Sequence, residues 1–292
     1  VSSICRGMGY YEVISYSFGS KSAWDKIKLP ENSPLRHAFI IQNPLGEDTG
    51  VMRTTALPSM LDVLATNLSK RNMDVKLFEL ATVYLPLKDS KLADEHIVLT
   101  LGTYGKTAGF FELKGCIESL LHSLRIKELR FVANSDNTAY HPGRCASIYC
   151  GNTLLGVMGQ IHPLVCEEYG LGNDVFTAEL ELPVLMSCIS PEPTYVPLPR
   201  FPAMTRDIAI VCDNAVTVAA LSDTMFAVAG DTLESCRLFD VYTGTGIPEG
   251  RRSVAFSLTI RAHDQTLTDE HADEIMKTIL QNLEKVHGAV IR

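Results

Sequence analysis

Five prolines, Pro191, Pro193, Pro197, Pro199 and Pro202, fall within a dozen residues of one another. Each fixes its own φ and removes a backbone donor, so the stretch favours an extended, semi-rigid segment over helix or central strand. That density divides the 292-residue chain. It predicts a linker over residues 189–199 between domains at 1–188 and 200–292, each long enough to bury a core.

The second domain is the more legible. "FDVYTGTGIPEGRRSVAF" (residues 239–256) spaces glycines at 244, 246 and 250, a pattern to be tested against that of a phosphate-cradling loop. Such a loop must open a helix, whose free N–H groups meet the anion. Here "RRSVAFSLTIRA" follows, with Val254, Phe256, Leu258 and Ile260 alternating with small polar residues, the period of a half-buried strand. "SCRLFDVY" before it is also strand-like, so the glycines join a β-hairpin. Upstream, "RDIAIVC" reads as a strand. "TVAALSDTMFAVAG" reads as a helix with Val218, Leu221, Met225 and Val228 on one face and Gly230 as its stop. Downstream, Thr268 is a good N-cap for a helix with Ala272, Ile275, Met276, Ile279, Leu283 and Val286 as its apolar stripe. Gly288 ends that helix, and "AVIR" is a last strand. The order βαββαβ is the ferredoxin-like plan, with both helices on one face of an antiparallel sheet and the other face open.

Residues 1–188 read as an α+β domain on an antiparallel sheet. "YYEVISYSF", "VKLFELATVYLP" and "HIVLTLGTYG" have strand patterns, and "ASIYCGNTLLGVMGQIHP" is a hairpin around Gly151 and Asn152. "TTALPSMLDVLATNLSKR" places Leu57, Met60, Leu61, Leu64 and Leu68 in helical register, with Pro58 tolerated in the first turn, and "GFFELKGCIESLLHSLRI" is a second long helix. Eight cysteines at irregular spacing fit reduced thiols. Cys145 and Cys150, flanked by His141 and His162, lack the two close pairs a structural zinc site needs, so no metal is expected. His141 and Arg53 have no neighbour that suggests proton transfer, and structural hydrogen bonding is the expectation for both. No apolar run approaches a membrane span, and the chain starts at Val1 with no Met and no signal-peptide pattern, so it reads as an excised fragment. A net charge of −8 argues against a broad nucleic-acid-binding surface but leaves room for a local basic patch.

Taken in order, "GYYEVISYSF", "NPLGEDTGVMRTTALPSMLDVLATN", "KLFELATVY", "FFELKG", "HPGRCA", "GVMGQIHP", "RFPAMTRDIAIV", "LFDVYTGTGIPEGRRSVAFSLTIR" and "QTLTDEH" resemble the C-terminal part of the bacterial phenylalanyl-tRNA synthetase β-subunit family. Gly46, Gln160 and Thr205 are departures from its usual residues, and Thr205 removes a positive charge. The resemblance implies a class II synthetase-like domain that has lost catalysis, followed by a ferredoxin-fold anticodon-binding domain. It implies a catalytic α-subunit partner in an α2β2 assembly, tRNA(Phe), a cytoplasmic location, and ATP and magnesium as cofactors of the whole enzyme rather than of this chain. The residues agree on lost catalysis: class II enzymes clamp ATP phosphate with an Arg two residues before a Glu, and here Leu77 precedes Glu79. A free-standing RNA-binding protein derived from that subunit is the alternative, and an independent nucleotide-using enzyme a third reading that Leu77 opposes.

The resemblance implies anticodon contacts at Asp240, Tyr242 and Ser253. Asp240 and Tyr242 lie two apart on one strand, so they share a face, where Tyr242 suits stacking on an unpaired base and Asp240 suits a guanine edge. Arg251 and Arg252 are expected at phosphates, with Arg206 and Arg261 as further candidates. Residues 200–292 hold nine basic and thirteen acidic side chains, so any such contact must be focal. Leu57, Met60, Leu61, Leu64 and Leu68 are expected at the α-subunit interface.

Overall fold

Backbone contacts divide the chain into two units, Val1–Pro193 and Thr194–Arg292. The computed structural model describes residues 1–88, 90–172, 174–190, 195, 197–262 and 264–292. Much of the proline-rich linker expected over 189–199 therefore lies outside the described residues.

The first unit runs α1 (Ser2–Gly7), β1 (Tyr11–Glu12), β2 (Phe18–Gly19), α2 (Ser22–Lys26), β3 (Val51–Met52), α3 (Leu57–Ser69), β4 (Val75–Pro86) and β5 (Ala93–Tyr104). It continues through α4 (Phe110–Ser123), β6 (Leu129–Ala133), β7 (Tyr140–Cys150), β8 (Thr153–Ile161), α5 (Pro163–Glu168), β9 (Val175–Glu181) and α6 (Leu182–Ser187). A seven-stranded sheet has the order β1-β4-β5-β9-β8-β7-β6, with β1 parallel to β4 and the other pairs antiparallel. Alternation along β4 and β5 feeds two cores. Phe78, Leu99 and Leu101 meet Leu113, Ile117 and Leu120 of α4 on one face, while Val75, Leu77 and Tyr104 meet α3 on the other. Gly102 allows the close approach of α3, because a Cβ there would lie 2.8 Å from the Met60 side chain.

This packing corrects the interface assignment. Leu57, Met60, Leu61 and Leu64 are buried in the unit's own core, and Leu68 is packed against it. The apolar stripe of α3 is spent on the sheet, as amphipathic helices generally spend theirs. A second correction concerns "YYEVISYSF", which forms two short strands rather than one. Val13 N still donates to Phe78 O, but Ser15 then bonds the Glu79 carboxylate through both its backbone N–H and its hydroxyl, drawing the segment off the ladder.

The second unit is β10 (Met204–Asp213), α7 (Val218–Ala229), β11 (Leu233–Tyr242), β12 (Arg251–Ile260), α8 (Asp269–His287) and β13 (Val290–Ile291). Its antiparallel sheet has the order β11-β12-β10-β13, the ferredoxin-like arrangement. Thr217 and Thr268 cap α7 and α8 by accepting from Ala220 N and His271 N, and Gly288 ends α8 in the left-handed region at φ 60°. Leu221 and Met225 of α7, and Ala272, Met276, Ile279 and Leu283 of α8, are buried. Val286, expected in the same stripe, is 61% exposed; in that last turn it is His287 that meets α7, 2.8 Å from Thr224 Oγ1.

If α3 is core, Leu61→Ala should destabilise the first unit by about 2–5 kcal/mol, the usual cost of a buried Leu→Ala. Urea unfolding monitored by the single tryptophan, Trp24 in this unit, checks it. An unchanged midpoint would return the helix face to the surface.

Candidate nucleic-acid interface

The first unit holds a cleft of about 910 Å³, lined in part by Ile14, Tyr16, Phe18, Trp24, Arg53 and Asp62. Its one buried arginine is already engaged. Arg53 donates to Thr82 O at 2.8 Å, to Ser15 Oγ at 2.7 Å and to Glu79 Oε1 at 3.2 Å, with both charged side chains almost wholly enclosed. A guanidinium held by a carboxylate, a hydroxyl and a carbonyl has few donors left for a phosphate. Leu77, where a phosphate-clamping Arg would stand, is buried beneath α3. Two strands away, Glu179 accepts from Thr55 Oγ1 at 2.9 Å and Ala56 N at 3.0 Å. Burial pushes its carboxyl up to about 7, against the lowering effect of those hydrogen bonds. The histidine and cysteine candidates are dispersed. His141 accepts from Gly143 N, His162 from Leu164 N, Cys150 donates to Lys127 O, and Cys145 is a core thiol.

In the second unit, strand pairing assigns every side chain to a face, because directly paired residues project to the same side. Val211, Ser253 and Tyr242 form one row across β10, β12 and β11. Ala209, Ala255 and Asp240 form the next, and Asp207, Ser257 and Arg237 the one after. The intervening rows, such as Ile210–Val254–Val241 and Ile208–Phe256–Leu238, face α7 and α8. The open face therefore carries small residues along its middle, flanked by larger charged and aromatic ones.

Tyr242 is held firmly. Its hydroxyl donates to Thr245 O at 3.4 Å, and the Arg292 guanidinium lies 5.0 Å from its ring centroid. Gly244 makes the fold-back possible, since a Cβ there would sit 2.8 Å from the tyrosine oxygen. Beside it, Ser253 is only 3% exposed.

The arginines separate by face. Arg251 pairs with Asp213 in the ladder and is exposed on the open side. Its neighbour Arg252 points the other way, and its guanidinium donates to Val216 O ahead of α7 at 2.7 Å. Arg206 also lies on the helix side, 2.6 Å from Asp269 and 3.6 Å from Asp273 of α8. Arg261 sits beyond the far end of β12, engaged by Glu234 at 2.6 Å and by Phe201 O. Of the seven sequence candidates, the fold thus gathers Asp240, Tyr242, Ser253 and Arg251 and removes Arg252, Arg206 and Arg261 from that group. It adds Arg237 and Arg292. Counting in twos from Tyr242 misplaces Arg237, because a bulge between Leu238 and Asp240 inverts the parity.

Residues 1–182 match the family model described as the phenylalanyl tRNA synthetase beta chain CLM domain, and residues 199–292 that of the ferredoxin-fold anticodon binding domain. The chain is 41% identical to the phenylalanine–tRNA ligase beta subunit of Clostridium acetobutylicum and 39% identical to that of Clostridium tetani. All of this chain is covered in both, but only 37% of either relative. A pyrrolysyl-tRNA synthetase from Desulfitobacterium hafniense shares the fold at a TM-score of 0.52 and 17% identity, over 63% of this chain and 65% of that one.

The raised Glu179 carboxyl predicts a pH dependence. Its ordinary value is 4.5 and its folded value about 7, so folding favours the protonated form. The stabilisation is complete below the ordinary value and is lost as pH rises through about 7. Glu179→Gln should therefore flatten the fall in unfolding midpoint between acidic and neutral pH. Parallel slopes for both proteins would contradict this.

Proposed function

We propose, for a chain that belongs to the phenylalanyl-tRNA synthetase beta-chain family, that its second unit reads the anticodon loop of tRNA(Phe) while its first supports a catalytic α subunit. The observation that carries the reading is the shared face: Ser253, Tyr242 and Asp240 rise in adjacent rows opposite the helices, with the Tyr242 ring held by Arg292. Unpaired bases offer what the row accepts, a ring face for Tyr242 and a polar edge for Asp240 and Ser253. Arg251 and Arg292 supply positive charge locally on an otherwise acidic unit.

The first unit fits a supporting role. Its internal arginine is neutralised by Glu79, while Ile14 and Tyr16 at the cleft are 93% and 77% exposed. Exposed apolar side chains grouped at one place suit a protein partner, and they replace the α3 leucines as the surface offered to the α subunit. The activity proposed for the whole assembly is ATP- and magnesium-dependent joining of phenylalanine to its tRNA, by an α2β2 enzyme in the cytoplasm.

In that enzyme, Tyr242→Ala should lower kcat/KM for aminoacylation by the worth of one base stack, about 1–3 kcal/mol. Amino-acid activation without tRNA should be unchanged, because the anticodon lies far from the aminoacyl end. Arg206→Ala, on the helix side, should spare aminoacylation. Equal losses in Tyr242→Ala and Arg206→Ala, or none in Tyr242→Ala, would count against the assignment.

A further inference from the structure

We propose that the open sheet face carries a second nucleotide subsite, formed by Asp207, Ser257 and Arg237, distinct from the row at Tyr242. The three residues are directly paired across β10, β12 and β11, so their side chains rise on the same side of the sheet as Ser253. Asp207 and Arg237 are exposed, and Ser257 between them is half-buried. Two strand spacings separate the charged residues, about 10 Å. Neither has a side-chain ion pair or hydrogen bond among the described residues, whereas Arg206, Arg252 and Arg261 of the same unit are all engaged.

The small Ser257 leaves a gap between the two charges, open to an inserted group. The chemistry on its sides is opposite: Asp207 accepts and Arg237 donates. A nucleotide meets both demands. A base amino or imino group donates to Asp207, the Ser257 hydroxyl reaches the same base, and the phosphate accepts from Arg237. Four residues of β12 separate Ser257 from Ser253, about 13 Å along the strand. That is further than one base spans, so the second row takes a different nucleotide of the same loop. The inference rests on the tRNA reading above, which it extends from one nucleotide to a track along β11 and β12.

The test is titration of the full chain with an anticodon stem-loop RNA at several salt concentrations, followed by fluorescence anisotropy. Arg237→Ala should weaken binding several-fold and reduce the slope of log K against log salt by about 1, as loss of one phosphate contact does. Arg237→Lys should keep the slope. Asp207→Asn should also weaken binding, and an abasic substitution at one loop position should erase its effect. That position should differ from the one that erases the effect of Tyr242→Ala. If Tyr242→Ala weakens binding while Asp207→Asn and Arg237→Ala match the parent, the second subsite is wrong and the tRNA reading stands. If one abasic position erases both effects, the two rows hold a single nucleotide and the proposal fails. If the parent chain does not bind the stem-loop, both readings fall together.

Discussion

Two-residue alternation along β12 is the constraint on which the second unit depends. Val254, Phe256, Leu258 and Ile260 enter the core beneath α7 and α8, and each is fully enclosed. The same strand must then send Ser253, Ala255, Ser257 and Thr259 to the opposite face. A one-residue slip would exchange the two sets, burying hydroxyls and exposing a phenylalanine, so the register is strongly fixed. The energy that fixes it is apolar burial on one side, roughly 25 cal/mol for each Å² removed from water. The chemistry of the other side is carried along without cost. Small residues in the middle of that face keep it low, and Tyr242, Asp240 and Arg237 on β11 stand at its margin.

The first unit shows the same economy turned to a different end. The first unit has a cleft, but the charged groups at its floor bind one another. Arg53 and Glu79 form a buried pair, which removes a cation from any ligand and makes each residue necessary to the other. Deleting one partner of such a pair is far more damaging than replacing both, because the survivor is left charged and unpaired. Leu77 packs against α3 and offers no donor either.

Much of this was legible in the sequence, and what was not has a local cause. Thr217, Thr268 and Gly288 announce the ends of helices through chemistry contained within a few residues. The β12 alternation announces a strand with one wet face. Periodicity in α3 correctly indicates a helix, but it cannot say whether the apolar stripe meets the chain's own sheet or a partner, and the sheet wins. The bulge between Leu238 and Asp240 is likewise silent, and with it the true face of Arg237. Arg251 and Arg252 are adjacent in sequence and therefore opposite in the strand, a consequence of the pleat that a search for clustered basic residues overlooks. Arg206 and Arg261 find carboxylates distant in sequence, at Asp269 and Glu234, and no local pattern reveals such pairings.

The central claim is that single-stranded RNA lies on the face opposite the helices. Methyl NMR spectra of the chain titrated with the tRNA(Phe) anticodon stem-loop test it most directly. Ala209 and Ala255 report from the open face, and Ile208, Ile210 and Leu258 from beneath α7 and α8. The account predicts that the two alanine methyl signals move with saturation while the isoleucine and leucine signals hold nearly still. Movement confined to the helix-side methyls, or to residues of the first unit, would contradict it.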